Sequence, residues 1–287
     1  MEGAALGLRQ TRILESPSSP ASHWPTMSCI RVILLGASNL QLGMPLLLEN
    51  LQRLLPQRAD RLEIWTAAGH GRSYGRWCNV LFRELPGIVP CGLWEDLRKA
   101  PVVPDQTFGL VTDIGNDIPF HVPPSEIAGW VSEVLKHLQE QKARIVVTGL
   151  PMGPVRALAP WKYRMMRNIF FPASRLSHSE VCDRMDEVNG RVQELAANCG
   201  ALRVEPESEW YGFDPIHPRP SSRPAAWTKM LSGWDLFPAG NPLVSAGRLA
   251  AHRVRILRPQ ERRLFGRTQI AAQPVFVHEN RLHISVY

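Results

Sequence analysis

The stretch "GFDPIHPRP", residues 212–220, sets an acid and an imidazole three residues apart between prolines. Proline presets its own backbone angle and removes an amide donor, so this segment is neither helix nor strand. Two readings are open on these residues alone. Asp214 and His217 form a carboxylate–imidazole pair that orients a general base, or Asp214 caps a backbone amide in an ordinary Asp-Pro turn.

Three further segments carry groups with related chemistry. "GASNL" places Ser38 after the small Gly36 and Ala37, where its hydroxyl is either an exposed nucleophile or the cap of the helix that follows. "AAGHGRSYG" holds three glycines, which permit backbone angles closed to other residues and let an amide approach a ligand. It lacks the Lys-Ser/Thr ending of a phosphate-binding P-loop. "DIGNDI" offers Asn116, whose side-chain amide can donate to a developing oxyanion or complete a tight Gly-Asn turn. Asp113, Asp117, His121 and His217 could instead serve a metallophosphoesterase, but they lack a metal-ligand spacing, and neither a metal nor another cofactor is expected.

These residues need a frame to hold them. From residue 30 to 205, short β-branched runs alternate with helical stretches, the pattern of a parallel sheet covered on both faces. It predicts α/β architecture: a three-layer, doubly wound parallel sheet of flavodoxin-like type. Strands are expected at 30–36, 62–67, 108–114, 144–150 and 201–206. Helices are expected from Pro45, from Ser125 as N-cap, from a Ser177/Glu180 capping box to Gly200, and over "PAAWTKMLSGW" as the last one. In such sheets the loops leaving the carboxyl ends of the strands build the site. Ser38, the glycines and Asn116 follow the first, second and third strands.

At 287 residues, 44% hydrophobic and 21% charged, the chain has room for one generous globular domain. No apolar run approaches the ~18 residues of a membrane span. Five scattered cysteines without a CxxC pair argue against a disulfide framework or a zinc site and point to a reducing, cytoplasmic setting. Residues 1–28, rich in Ser, Pro and Ala, read as a disordered segment without signal or anchor, and Met27 is an alternative start. The net charge of +7 is uneven: residues 241–287 hold eight Arg, no Lys and two Glu, a net of +6.

The order of the four blocks along one α/β chain resembles the SGNH (GDSL-like) hydrolase superfamily, over about residues 30–235. The resemblance implies a serine hydrolase. Ser38 then matches the nucleophile, His217 the general base and Asp214 the acid that orients it. The oxyanion hole would combine the Ser38 amide, the Gly71 amide and the Asn116 side chain, with Gly69 the alternative to Gly71. Two blocks depart from the family pattern. The first has Ala37 where Gly-Asp-Ser is usual, so the Ser38 loop must be held another way. In the third the glycine has slid to Gly115, next to Asn116. The implied activity is that of an esterase or acyl hydrolase on a small-molecule ester. The alternative is a catalytically inert binding protein of the same fold.

Residues 151–179 contain five Arg or Lys, no acid, and four interleaved aromatics. So long a connection at the active edge reads as a lid, with Trp161, Lys162, Arg164 and Arg167 as substrate-binding residues favouring anionic or extended apolar groups. A partner surface or a helical insertion is the other reading. The domain is expected over 29–237 and a basic C-terminal extension over 238–287. That extension reads as an Arg-rich linker and a hairpin around Glu279-Asn280, and nucleic acid is not an expected partner.

Overall fold

In a computed structural model of the chain, residues 28–80, 82–237 and 242–287 are described. The segment expected at 1–28 therefore lies outside the described residues, apart from Ser28. The strands are β1 (Cys29–Leu35), β2 (Arg61–Ala67), β3 (Cys78–Val80), β4 (Arg83–Leu85), β5 (Gln106–Val111), β6 (Arg144–Thr148), β7 (Leu202–Val204), β8 (Glu261–Leu264), β9 (Arg267–Ile270), β10 (Phe276–His278) and β11 (Leu282–Val286). The helices are α1 (Ser38–Arg58), α2 (Leu93–Lys99), α3 (Pro124–Glu140), α4 (Met152–Arg156), α5 (Pro160–Phe170), α6 (His178–Asn198), α7 (Arg223–Leu231) and α8 (Arg248–Ile256).

The main sheet runs β10-β11-β2-β1-β5-β6-β7, parallel throughout except for the β10–β11 hairpin. Its five central strands are those expected from the β-branched runs, in flavodoxin-like order: second, first, third, fourth, fifth. That order reverses at β1, so a crevice opens beyond the carboxyl ends of β1 and β5. Strand alternation fills both faces. Ile33 and Leu35 enter the layer shared with α2, α3 and α6, while Val32 and Leu34 enter the layer shared with α1 and α7. A strand buried on both sides is largely apolar, and β1 is fully buried, its one charge, Arg31, being paired with buried Glu63 of β2 at 2.8 Å.

Several boundaries moved. α1 starts at Ser38 rather than Pro45, because a carboxylate from another loop satisfies the amides of its first turn; Pro45 lies inside the helix. Pro123 rather than Ser125 caps α3, with proline in its first turn. The capping box at Ser177/Glu180 is formed, and Gly200 adopts φ +67° after α6. The lid segment 151–179 is largely helical, as α4 and α5, and α7 is followed by α8.

The basic extension folds back on the domain. β11 pairs with β2, and Glu279 and Asn280 form the turn before it at φ 47° and 55°. The Tyr287 ring stacks on Trp65 at 5.8 Å and its hydroxyl donates to Asp96 at 3.0 Å. The Arg-rich stretch is no plain linker, because β8 and β9 join β3 and β4 in a second, antiparallel sheet. That small sheet abuts the glycine-rich loop: a Cβ at Gly71 would sit 2.4 Å from Val80 of β3.

Candidate active site

Asp214 and His217 meet in the turn where the sequence spaces them. The carboxylate receives the Ile216 and His217 amides on Oδ1, at 3.0 and 3.2 Å, and faces His217 Nδ1 with Oδ2 at 2.7 Å. One side chain thus makes both the contact to the imidazole and the bonds that cap the turn. Burial pushes the Asp214 carboxyl upward, but the bonds from the His217 ring and the two amides outweigh it and hold the group below its ordinary value. An ionised carboxylate can only accept, so Nδ1 carries the proton. In the neutral ring Nε2 is then the free acceptor. It lies 2.8 Å from Ser38 Oγ.

Ser38 is the first residue of α1, the helix that leaves β1. Its loop is held by Asp113, a residue not singled out for this role in the sequence. Asp113 Oδ2 accepts the amides of Ala37 at 2.7 Å and Leu40 at 3.1 Å, and Oδ1 accepts Asn39 Nδ2 at 2.7 Å. The same Asn39 nitrogen donates to the Ile216 carbonyl at 2.9 Å, tying the serine loop to the histidine turn. These bonds hold the loop although residue 37 itself is an alanine. Asp113 reaches the loop from a left-handed backbone, φ 62°, which an Asp tolerates better than most residues.

Asn116 follows in a short 3-10 helix, Ile114–Phe120. Its Nδ2 donates to the Arg72 carbonyl at 2.9 Å, which occupies one of its two protons. Gly71 sits at φ +66°, where a side chain would be strained and would strike Val80. Buried Asp117 accepts the Tyr74 amide at 2.9 Å, and Tyr74 donates its hydroxyl to the Thr112 carbonyl at 2.6 Å. Burial raises the Asp117 carboxyl despite the hydrogen bond from Ser73. The glycine loop and the asparagine loop are therefore bolted together. Arg72, another residue missed in the sequence, is fully buried beside Gly71 and donates to the Pro86 and Tyr287 carbonyls.

These bonds use up the alternative metal ligands. Asp113 serves the serine loop, Asp117 the Tyr74 amide, and His121 Nε2 accepts the Arg175 amide at 3.1 Å. Among the described residues no three His, Cys, Asp or Glu side chains gather into a metal-binding group.

A cavity of about 140 Å³ opens beside Ser38 and Asn116, walled by apolar groups such as Leu150, Val155, Met166 and Met185. Of the expected lid residues, Arg167 lines it. Trp161, Lys162 and Arg164 do not, because the period of α5 turns Tyr163, Met166, Arg167 and Phe170 inward and those three away. The helix period within 160–170 was the signal that separates the two sets. Lys162 instead lies over the Phe213 ring at 4.2 Å. Among the described residues no helix is long and apolar enough to cross a membrane.

No family model matches the sequence, and no curated protein matches it. Solved structures similar to this chain include the psychrotrophic esterase EstA from Pseudoalteromonas sp., with 12% identity, 71% of this chain and 96% of that one covered, and a TM-score of 0.45. A member of the lipolytic protein G-D-S-L family from Veillonella parvula is 10% identical, with 71% and 97% covered and a TM-score of 0.46. AlinE4, an SGNH-hydrolase family esterase, is 18% identical, with 80% and 93% covered and a TM-score of 0.36.

Proposed function

We propose that this chain is a serine esterase or acyl hydrolase. The observation that carries the reading is the unbroken line Asp214–His217–Ser38, with contacts of 2.7 and 2.8 Å. Ser38 Oγ attacks the ester carbonyl carbon while its proton passes to His217 Nε2. Asp214 keeps the ring oriented and balances the imidazolium. The carbonyl oxygen becomes an oxyanion facing the Ser38 amide, the Gly71 amide and the free proton of Asn116 Nδ2. The N-terminus of α1 adds positive potential at the same place. Collapse breaks the bond to the alcohol oxygen, which leaves with the proton from Nε2. Water then repeats the sequence on the acyl-serine, releasing the acid and restoring the hydroxyl.

Alanine at position 37 favours the inert-binder alternative only if it leaves Ser38 unpositioned, and the Asp113 bonds to the Ala37 and Leu40 amides support a positioned serine. The apolar cavity supports an acyl group as the part bound there. The test is labelling with a fluorophosphonate, which reacts only with an activated serine, beside turnover of short p-nitrophenyl esters. Wild type should label and turn over, and Ser38→Ala should do neither while keeping its unfolding temperature. An unlabelled wild type would leave the fold as a binder.

A further inference from the structure

α5 has an outer face that the reaction does not use. Its inner residues line the cavity, whereas Trp161, Arg164 and Ile169 do not, and Trp161 and Ile169 are 67% and 65% exposed. Other large apolar groups stand out around the same opening. Phe213, next to Asp214, is 64% exposed, Phe170 is 47% and Phe120 is 44%. They are linked to the site by contact: Phe170 meets the His217 ring at 6.5 Å, and Phe120 packs edge-on against Phe171 of the cavity wall at 5.5 Å. Single exposed apolar residues are ordinary, but Phe120, Phe170 and Phe213 near the site, with Trp161 and Ile169 on the outer face of the helix that carries Phe170, together mark an interaction surface.

The charges of this region are all of one sign. Elsewhere some exposed cations sit beside carboxylates, as Arg53 does with Glu49 and Arg76 with Glu126. Around α5, Lys162, Arg164, Arg167 and Arg175 have no carboxylate partner among the described residues, and the whole segment 151–179 contains no acid. A helix face that combines exposed Trp and Ile with unpaired Lys and Arg suits the headgroup boundary of an anionic bilayer.

We propose that the outer face of α5, with Phe213 and Phe120 beside the cavity mouth, docks on an anionic lipid surface, and that the ester delivered to Ser38 is carried in that surface. Delivery rests on the esterase reading, whereas docking does not. The helix lies along the interface with Trp161 and Ile169 in the acyl boundary and Lys162 and Arg164 at the phosphates. Its inner face then offers the apolar cavity to a chain drawn from the lipid.

The experiment separates the two layers. Ser38→Ala protein is sedimented with vesicles of phosphatidylcholine alone and with 30 mol% phosphatidylglycerol, at about 20 and 500 mM salt. It should bind the anionic vesicles at low salt and be released at high salt. Two double variants, Trp161→Ser/Ile169→Ser and Lys162→Glu/Arg164→Glu, should bind at least ~10-fold more weakly. In the active protein the same pairs should slow cleavage of a vesicle-embedded ester and spare a dispersed short ester, which also reports that they fold. No binding to anionic vesicles, equal binding to neutral ones, or double variants that bind like the parent would overturn the docking surface. A parent dimer that the Trp161→Ser/Ile169→Ser pair dissociates, without vesicle binding, would give the face to a second copy and overturn it too. Vesicle binding without hydrolysis of any ester would leave docking standing and sink delivery.

Discussion

The Asp113 carboxylate accepts the Ala37 amide at 2.7 Å, one residue before Ser38, from a loop 76 residues further along the chain. It also takes the Leu40 amide and the Asn39 side chain, so one acid fixes both flanks of the proposed nucleophile. Asp113→Ala should leave two amides of a part-buried turn without acceptors, at a cost of about 1–3 kcal/mol in stability. The serine would shift relative to His217, and misplacement by ~1 Å costs roughly 10² in rate. The loss should fall mainly on kcat, because the carboxylate sets the alignment of the serine, with a smaller effect on KM because Asp113 also lines the cavity. Asp113→Asn keeps one acceptor oxygen and should fall between. A variant with normal kcat and a lowered unfolding temperature would reduce Asp113 to a purely structural part.

Asn116→Ala should lower kcat by about 10²–10³, because an oxyanion donor acts chiefly in the transition state. Asn116 lines the cavity beside Ser38. Its bond to the Arg72 carbonyl adds a second effect, the loosening of the loop that carries Gly71. Arg72→Met should reproduce that second effect alone, with a smaller loss of kcat and an unchanged fluorophosphonate target. If Asn116→Ala costs less than ~10-fold, the side chain is a tether and not a donor.

The Asp214 carboxyl is held below its ordinary value: burial works against this, and the His217 ring with the turn amides prevails. A carboxyl depressed in the folded state contributes stability above the unfolded value of about 3.9, and that contribution is lost as pH falls through the folded value. Asp214→Asn should therefore unfold at a lower temperature than wild type at pH 7, with the gap shrinking below about pH 4. Turnover should drop by roughly 10³–10⁴, since Asn favours the wrong imidazole tautomer. A gap that stays constant from pH 7 to 3 would mean the pair adds nothing to the fold.

The frame and the Asp214–His217 contact were legible because each rests on local pattern. β1 announces itself as a run that is apolar but for Arg31, and Pro215 and Pro218 fix the turn of Asp214 and His217 whatever surrounds it. The support of the site was not legible, because it is long-range. The bond from Asp113 to Ala37 spans 76 residues and the bond from Asn116 to Arg72 spans 44. Nothing at either end of such a bond names the other. Ala37 did signal that an acid was missing, but several acids could have replaced it. The segment 151–179 was obscured differently: its prolines and charges read as a long connection, while Tyr163, Met166, Arg167 and Phe170 follow a helical period. The β8–β9 hairpin lacks alternation, with β9 exposed throughout and no position of β8 fully buried, so its Arg-rich sequence read as linker.

Arg167 should decide which acyl groups the cavity prefers. It is the cation among the cavity-lining residues, and its guanidinium meets only neutral acceptors, the Leu176 carbonyl at 3.1 Å and the Asn168 side chain. A cation in an apolar, partly enclosed cleft focuses its field on what enters. An ester with a carboxylate on its acyl group should therefore exceed its neutral isostere in kcat/KM at low salt. The advantage should shrink as the Debye length falls from ~30 Å at 0.01 M to ~8 Å at 0.15 M. Arg167→Gln should remove most of the preference and leave the neutral ester nearly unaffected. Lys162→Gln/Arg164→Gln should retain it for dispersed esters, because neither side chain lines the cavity. Equal rates for both esters at every salt concentration would mean that Arg167 only braces the Leu176 carbonyl. A preference carried by Lys162 and Arg164 would mean that the field arises outside the cavity, at the rim where Lys162 covers Phe213.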